Sequence, residues 1–123
     1  MSRIRIKWPR GEVTATLDDT PTAQRVLAAL PAKSRASTWG EEVYFSLPVS
    51  VKKEKSAVEV VPPGTVCFWV EGASLALPYG PTPVSKGDEC RLVTSVNVLG
   101  KLEGDPRALA RIRDGDSIEV TVA

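Results

Sequence analysis

The segment 39–42, Trp-Gly-Glu-Glu, is where this sequence places carboxylates beside aromatic residues. On a regular strand, Glu42 and Tyr44 share one face and Val43 lies on the other. If the apolar face is buried, Glu42 and Tyr44 point at a groove or at water, because a desolvated carboxylate needs partners or takes up a proton. One interpretation is a binding pocket with a carboxylate and an aromatic wall that includes Trp39. The alternative is a surface acid beside a core strand.

A second set of candidates lies further along the chain. Tyr79 precedes the loop 80–83, Gly-Pro-Thr-Pro, whose two prolines restrict its conformation. A rigid loop beside an aromatic residue suits ligand binding because little ordering entropy is lost, although a plain tight turn has the same sequence. Asn97 interrupts an apolar strand, where it either holds backbone groups together or recognises a ligand through its amide. The candidate binding residues are therefore Trp39, Glu42, Tyr44, Tyr79, Thr82 and Asn97.

The chain contains no histidine, which excludes most familiar catalytic and metal chemistry. General acid–base catalysis by histidine, Ser-His or Cys-His nucleophiles and the commonest zinc ligand are all absent. Glu41 and Glu42 are adjacent, so on a strand they face opposite ways and do not form the facing carboxylate pair of a glycosidase. We expect no metal and no cofactor, and the sequence identifies no catalytic residue.

The two cysteines and the charge balance bear on location and partners. Cys67 lies in the apolar run 65–70 and is expected in the core, whereas Cys90 adjoins Glu89 and Arg91 and is expected to be exposed and oxidisable. Reduced thiols, no apolar signal core at the N-terminus and no long apolar run predict a cytoplasmic protein that does not bind membranes. The net charge of +1 argues against nucleic acid as a partner.

Short alternating segments separated by turns predict an all-β fold. Residues 3–8 and 13–17 form an N-terminal hairpin, and residues 34–39 and 42–47 form either a strand pair or one bulged strand broken at Gly40. Two short helices are expected, one after Pro21 and one after Pro106, since each proline follows a capping residue. We predict a single domain over residues 1–123, a closed barrel of about eight strands with two short helices.

Four segments carry a family resemblance: 38–46 (TWGEEVYFS), 63–69 (PGTVCFW), 80–83 (GPTP) and 95–101 (SVNVLGK). In this order they resemble the cyclophilin-like family of small prokaryotic proteins of unknown function. The resemblance extends over nearly the whole chain and implies a cyclophilin-type closed barrel. It implies no particular reaction, because a fold does not determine a function.

Three functions remain open from the sequence. The first is a binding module that holds a small metabolite or a short peptide in a groove on the barrel. The second is a peptidyl-prolyl isomerase, which needs a groove and a donor that polarises the amide, and Arg35 or Arg91 is the candidate donor. The third is a relative of the cyclophilin-like subunits of amide-hydrolysing enzymes.

Overall fold

The computed structural model describes the whole chain, residues 1–123. It contains ten strands, one α-helix and one 3₁₀ helix. The strands are β1 (Ser2–Trp8), β2 (Gly11–Leu17), β3 (Ala32–Arg35), β4 (Ser37–Thr38), β5 (Glu42–Ser46), β6 (Val58–Val61), β7 (Thr65–Trp69), β8 (Ser74–Pro78), β9 (Cys90–Leu102) and β10 (Ser117–Val122). Helix α1 spans Pro21–Ala28, and the 3₁₀ helix spans Pro106–Arg111. None of the helices is long and apolar enough to cross a membrane.

The strands form one antiparallel sheet that curves into a nearly closed barrel. Its order is β3-β10-β1-β2-β9-β7-β8-β5-β4, and β6 pairs with β9 off this path. The barrel nearly closes where β3, at one end of the order, approaches β5, next to the other end. There the hydroxyl oxygens of Ser34 on β3 and Ser46 on β5 lie 3.5 Å apart. The prediction of an all-β cyclophilin-like barrel is confirmed.

Local sequence patterns account for most elements. The predicted N-terminal hairpin is present, with β1 and β2 paired from Ser2↔Leu17 to Trp8↔Gly11. The Thr20 side chain caps α1 by accepting from the backbone N–H of Ala23 at 3.1 Å. The segment after Pro106 is a 3₁₀ helix of six residues.

The structure has ten strands rather than the expected eight or so. One reason is that the segment 32–46 forms three strands, where its pattern indicates one or two. β3 pairs with β10, whereas β4 turns back and pairs with β5. Of the two possibilities for this segment, the strand pair is the one formed. Gly40 lies in the connecting turn with a φ of 60°, a left-handed conformation that glycine adopts without steric cost.

Two apolar clusters lie on opposite sides of the sheet. The larger fills the barrel interior and includes Val43 and Phe45 of β5. The smaller forms where residues 90–96 of β9 pair with β6 and pack over β7 and β8; its members are Val61, Cys67, Ala76, Cys90, Leu92 and Val96. The outer face of β5, with Glu42 and Tyr44, is therefore directed at this second cluster.

Candidate functional site

A cavity of about 200 Å³ lies against the second apolar cluster. Its walls come from the β4–β5 hairpin, the end of β7 and the first half of β9. The lining residues are Trp39, Glu42, Tyr44, Trp69, Leu92, Val93 and Val96. One carboxylate and three aromatic rings thus share a small space that is otherwise apolar.

Glu42 is the only charged residue of this lining. It pairs with Pro78 on β8 and is only 6% exposed, and its Oε1 atom has no hydrogen-bond partner. Burial raises the pKa of Glu42 from its ordinary value of 4.5 to about 7. The side chain can therefore be either neutral or charged near neutral pH. The strand parity of Glu42 is as predicted, but its face of the strand is covered rather than open to water.

Tyr44 on β5 and Trp69 at the end of β7 form an aromatic wall of the cavity. Their rings meet edge to face, with centroids 5.9 Å apart and planes at 88°. The indole Nε1 of Trp69 is buried and has no hydrogen-bond partner. Trp39 completes the wall from the turn, where its backbone N–H donates to the Glu42 carbonyl at 3.0 Å. Two of the lining residues therefore carry a buried polar atom without a partner, the donor Nε1 of Trp69 and the acceptor Oε1 of Glu42.

Two buried thiols lie near the carboxylate. Desolvation raises the pKa of Cys67, and the nearby Glu42 charge raises it further. Desolvation likewise raises the pKa of Cys90, with Glu41 and Glu42 as additional causes. The prediction that Cys90 is exposed is wrong: it is 1% exposed, because its strand begins at this residue and pairs with Val61 of β6. Both thiols are free.

Three of the six candidate binding residues come together in the cavity, namely Trp39, Glu42 and Tyr44. Tyr79 lies elsewhere, with the guanidinium of Arg107 5.2 Å from its ring centroid. Arg107 is in turn held by Glu41 at 3.0 Å. Neither Tyr79 nor this ion pair lines the cavity.

Thr82 and Asn97 lie outside the cavity lining, and both hold backbone segments in place. The Thr82 hydroxyl donates to the Arg91 carbonyl, and its N–H donates to the Ser85 hydroxyl at 2.9 Å. Asn97 is fully buried and fastens residues of the 52–54 segment to β9. Their hydrogen bonds account for their burial without a ligand.

Trp69 and the β9 residues Leu92, Val93 and Val96 complete the lining and were not predicted from the sequence. The information that identifies Trp69 as a lining residue is the pairing of the strands. Tyr44 and Cys67 both pair with Ala76, so they lie in one row across three strands, and Trp69 has the same parity as Cys67. Without knowledge of that pairing, Trp69 is indistinguishable from a core residue.

The two arginines considered for amide polarisation make contacts outside the cavity. Arg91 pairs with Glu89 at 2.6 Å and lies 3.8 Å from Glu59. Arg35 donates to the Gly115 carbonyl at 3.0 Å. No arginine belongs to the cavity lining.

Comparison with known proteins agrees with this architecture. A family model described as cyclophilin-like matches residues 2–121. Among solved structures, the chain is similar to a hypothetical protein from Archaeoglobus fulgidus whose solution structure is known, with 34% sequence identity and a TM-score of 0.85. That alignment covers 99% of this chain and 95% of the archaeal one. A comparison with curated proteins found no match. The chain belongs to the cyclophilin-like family.

Proposed function

We propose that this protein is a binding module that holds a small metabolite in the cavity beside Glu42. The observation that carries the proposal is the buried Glu42 carboxylate, which has an unpartnered oxygen and lines an aromatic cavity. Buried polar atoms in folded proteins are nearly always hydrogen-bonded, so each exception calls for an explanation. A ligand that contacts this carboxylate would supply one.

The energetic cost of Glu42 supports a role in binding rather than in packing. A rise in pKa from 4.5 to about 7 corresponds to about 3 kcal/mol against the charged form, at 1.36 kcal/mol per unit. An apolar or amide side chain of similar size would fill the position without that cost. Groups that bind ligands commonly reduce the stability of the free protein in this way.

The size of the cavity favours a small ligand. Its volume of about 200 Å³ exceeds the roughly 150 Å³ cavity that accommodates benzene in an engineered protein. Pockets for drug-sized ligands are roughly 300–1,000 Å³. A small metabolite fits within this space, whereas a short peptide would insert only one side chain. We therefore favour the metabolite, and the two buried free thiols support a reducing, cytoplasmic setting.

The test is a two-dimensional NMR titration of the ¹⁵N-labelled protein with a set of small metabolites and short peptides. We expect a metabolite to shift the indole signals of Trp39 and Trp69 and the amides of β5 and β9. The variants Glu42→Gln and Tyr44→Ala should weaken this binding. Tyr79→Phe is the matched control, because its ring lies outside the cavity lining. Shifts confined to other surfaces, or none across the set, would contradict the proposed site.

A further inference from the structure

We infer, on the basis of the proposed binding site, that the cavity ligand carries a methylated ammonium group seated among the aromatic rings and facing Glu42. The rings of Trp39, Tyr44 and Trp69 line the same small space as this carboxylate. Aromatic faces attract cations through the ring quadrupole, and cages of aromatic rings recognise quaternary ammonium groups.

The charges around the cavity favour a cation. Glu42 takes part in none of the ion pairs of the molecule, which are Met1–Asp19, Arg3–Glu103, Arg5–Glu12, Arg10–Asp116, Lys53–Glu71, Arg91–Glu59, Arg91–Glu89 and Arg107–Glu41. Arg91, which precedes the lining residue Leu92 on β9, is already paired with Glu89. A ligand cation would supply the missing countercharge, whereas an anionic ligand would be repelled by Glu42.

The remaining lining distinguishes a methylated ammonium from a primary one. Leu92, Val93 and Val96 present only apolar surface to the cavity. A primary ammonium is strongly hydrated and has three donors, for which this lining offers one carboxylate. In a methylated ammonium the charge is instead covered by methyl groups, and these can contact Leu92, Val96 and the aromatic rings. The volume of about 200 Å³ accommodates a head group of this kind.

The test compares choline with its uncharged carbon isostere, dimethylbutanol, by NMR titration at about pH 8, above the pKa of Glu42. The two molecules have nearly the same shape and differ in charge. We expect choline to bind at least about tenfold more tightly to the wild-type protein, a difference of about 1.4 kcal/mol. In Glu42→Gln the preference for choline should fall severalfold, and what remains is the attraction of the aromatic rings for the cation. Glu41→Gln is the matched control, since it removes a neighbouring negative charge that is paired with Arg107 outside the cavity.

A pH series provides a second measurement that needs no variant. Choline should lose most of its affinity between about pH 8 and pH 5, as Glu42 takes up a proton, while dimethylbutanol should not. The titratable groups near Glu42 are Glu41, whose carboxylate is held by Arg107 outside the cavity, Tyr44 on the same strand, Cys67 on β7 and Cys90 on β9. The pKa values of both thiols are raised, so the thiols stay neutral across this range.

The outcomes separate this inference from the proposed function. Equal binding of choline and its isostere to the wild-type protein would overturn the cation while leaving a binding cavity. If a neutral or anionic metabolite shifts the NMR signals of the cavity residues and choline does not, the cation is likewise refuted while the binding cavity stands. If neither choline nor any metabolite of the wider set shifts these signals, both the cation and the binding module are refuted.

Discussion

The side-chain amide of Asn97 on β9 donates to the hydroxyl of Thr22 in α1 at 3.0 Å. The same amide donates to the Lys52 carbonyl at 3.0 Å, and its oxygen accepts from the Glu54 N–H at 2.8 Å. One residue thus connects the barrel wall, the start of the helix and the connection between β5 and β6. This arrangement explains a fully buried asparagine within an apolar strand.

Replacing Asn97 with alanine should lower the free energy of unfolding by about 3 kcal/mol, because the Lys52 carbonyl, the Glu54 N–H and the Thr22 hydroxyl all lose their partner. Urea unfolding measures the change. Thr94→Ala is the control on the same strand, since it removes one exposed hydrogen bond to Glu71 and should change stability by less than about 0.5 kcal/mol. Equal effects of the two variants would refute a structural role for Asn97.

Glu42→Gln should stabilise the protein at alkaline pH and not at acidic pH. Because the folded-state pKa of about 7 lies above the ordinary value of 4.5, the wild-type protein is relatively most stable below 4.5 and loses stability as pH rises through 7. The glutamine variant lacks this loss, so its gain should approach about 3 kcal/mol at about pH 8. Urea unfolding at about pH 4 and pH 8 tests the prediction. A gain that is the same at both pH values would contradict it.

Glu103 should have the opposite pH dependence to Glu42: it should stabilise the protein at neutral pH and lose this effect in acid. The guanidinium of Arg3 donates to both of its oxygens at 2.8 Å, and this hydrogen bonding, with that of Thr14 and Thr16, lowers the pKa of Glu103 to about 2. The stabilisation is present above the ordinary value of 4.5 and is lost as pH falls towards 2. Glu103→Gln should therefore flatten the decline of melting temperature over this range.

The matched control for this prediction is Glu12→Gln, which removes an exposed carboxylate held by Arg5 at 3.0 Å. Thermal unfolding followed by circular dichroism at several acidic pH values compares the three proteins. If the melting temperature of Glu103→Gln falls with decreasing pH as steeply as that of the wild-type protein, Glu103 does not cause the decline.

Gly100→Ala should disrupt the pairing of β2 with β9. A Cβ atom at this position would lie 1.9 Å from the carbonyl oxygen of Thr16, a backbone atom that cannot yield without moving β2. We expect a loss of more than about 2 kcal/mol in the free energy of unfolding. Lys101→Ala, at the next and exposed position, is the control and should have little effect. A loss below about 0.5 kcal/mol for Gly100→Ala would contradict this packing.

The family resemblance and much of the secondary structure could be predicted because their signals are local. Alternation of apolar residues in β1 and β2 identifies the hairpin, and Thr20 with Pro21 identifies the start of α1. The split of the segment 32–46 into three strands could not be read from that pattern, because β3 and β4 differ in their partners rather than in their residues.

The sequence by itself determined that Glu42 and Tyr44 share a strand face opposite Val43, because parity on a strand follows from chain geometry alone. Only the tertiary structure decided that this face is covered, that Trp69 joins it and that Cys90 is buried in the cluster it faces. The physical reason is that burial of an outer strand face depends on which distant segment packs over it. Here that segment is the first half of β9, held in place by β6.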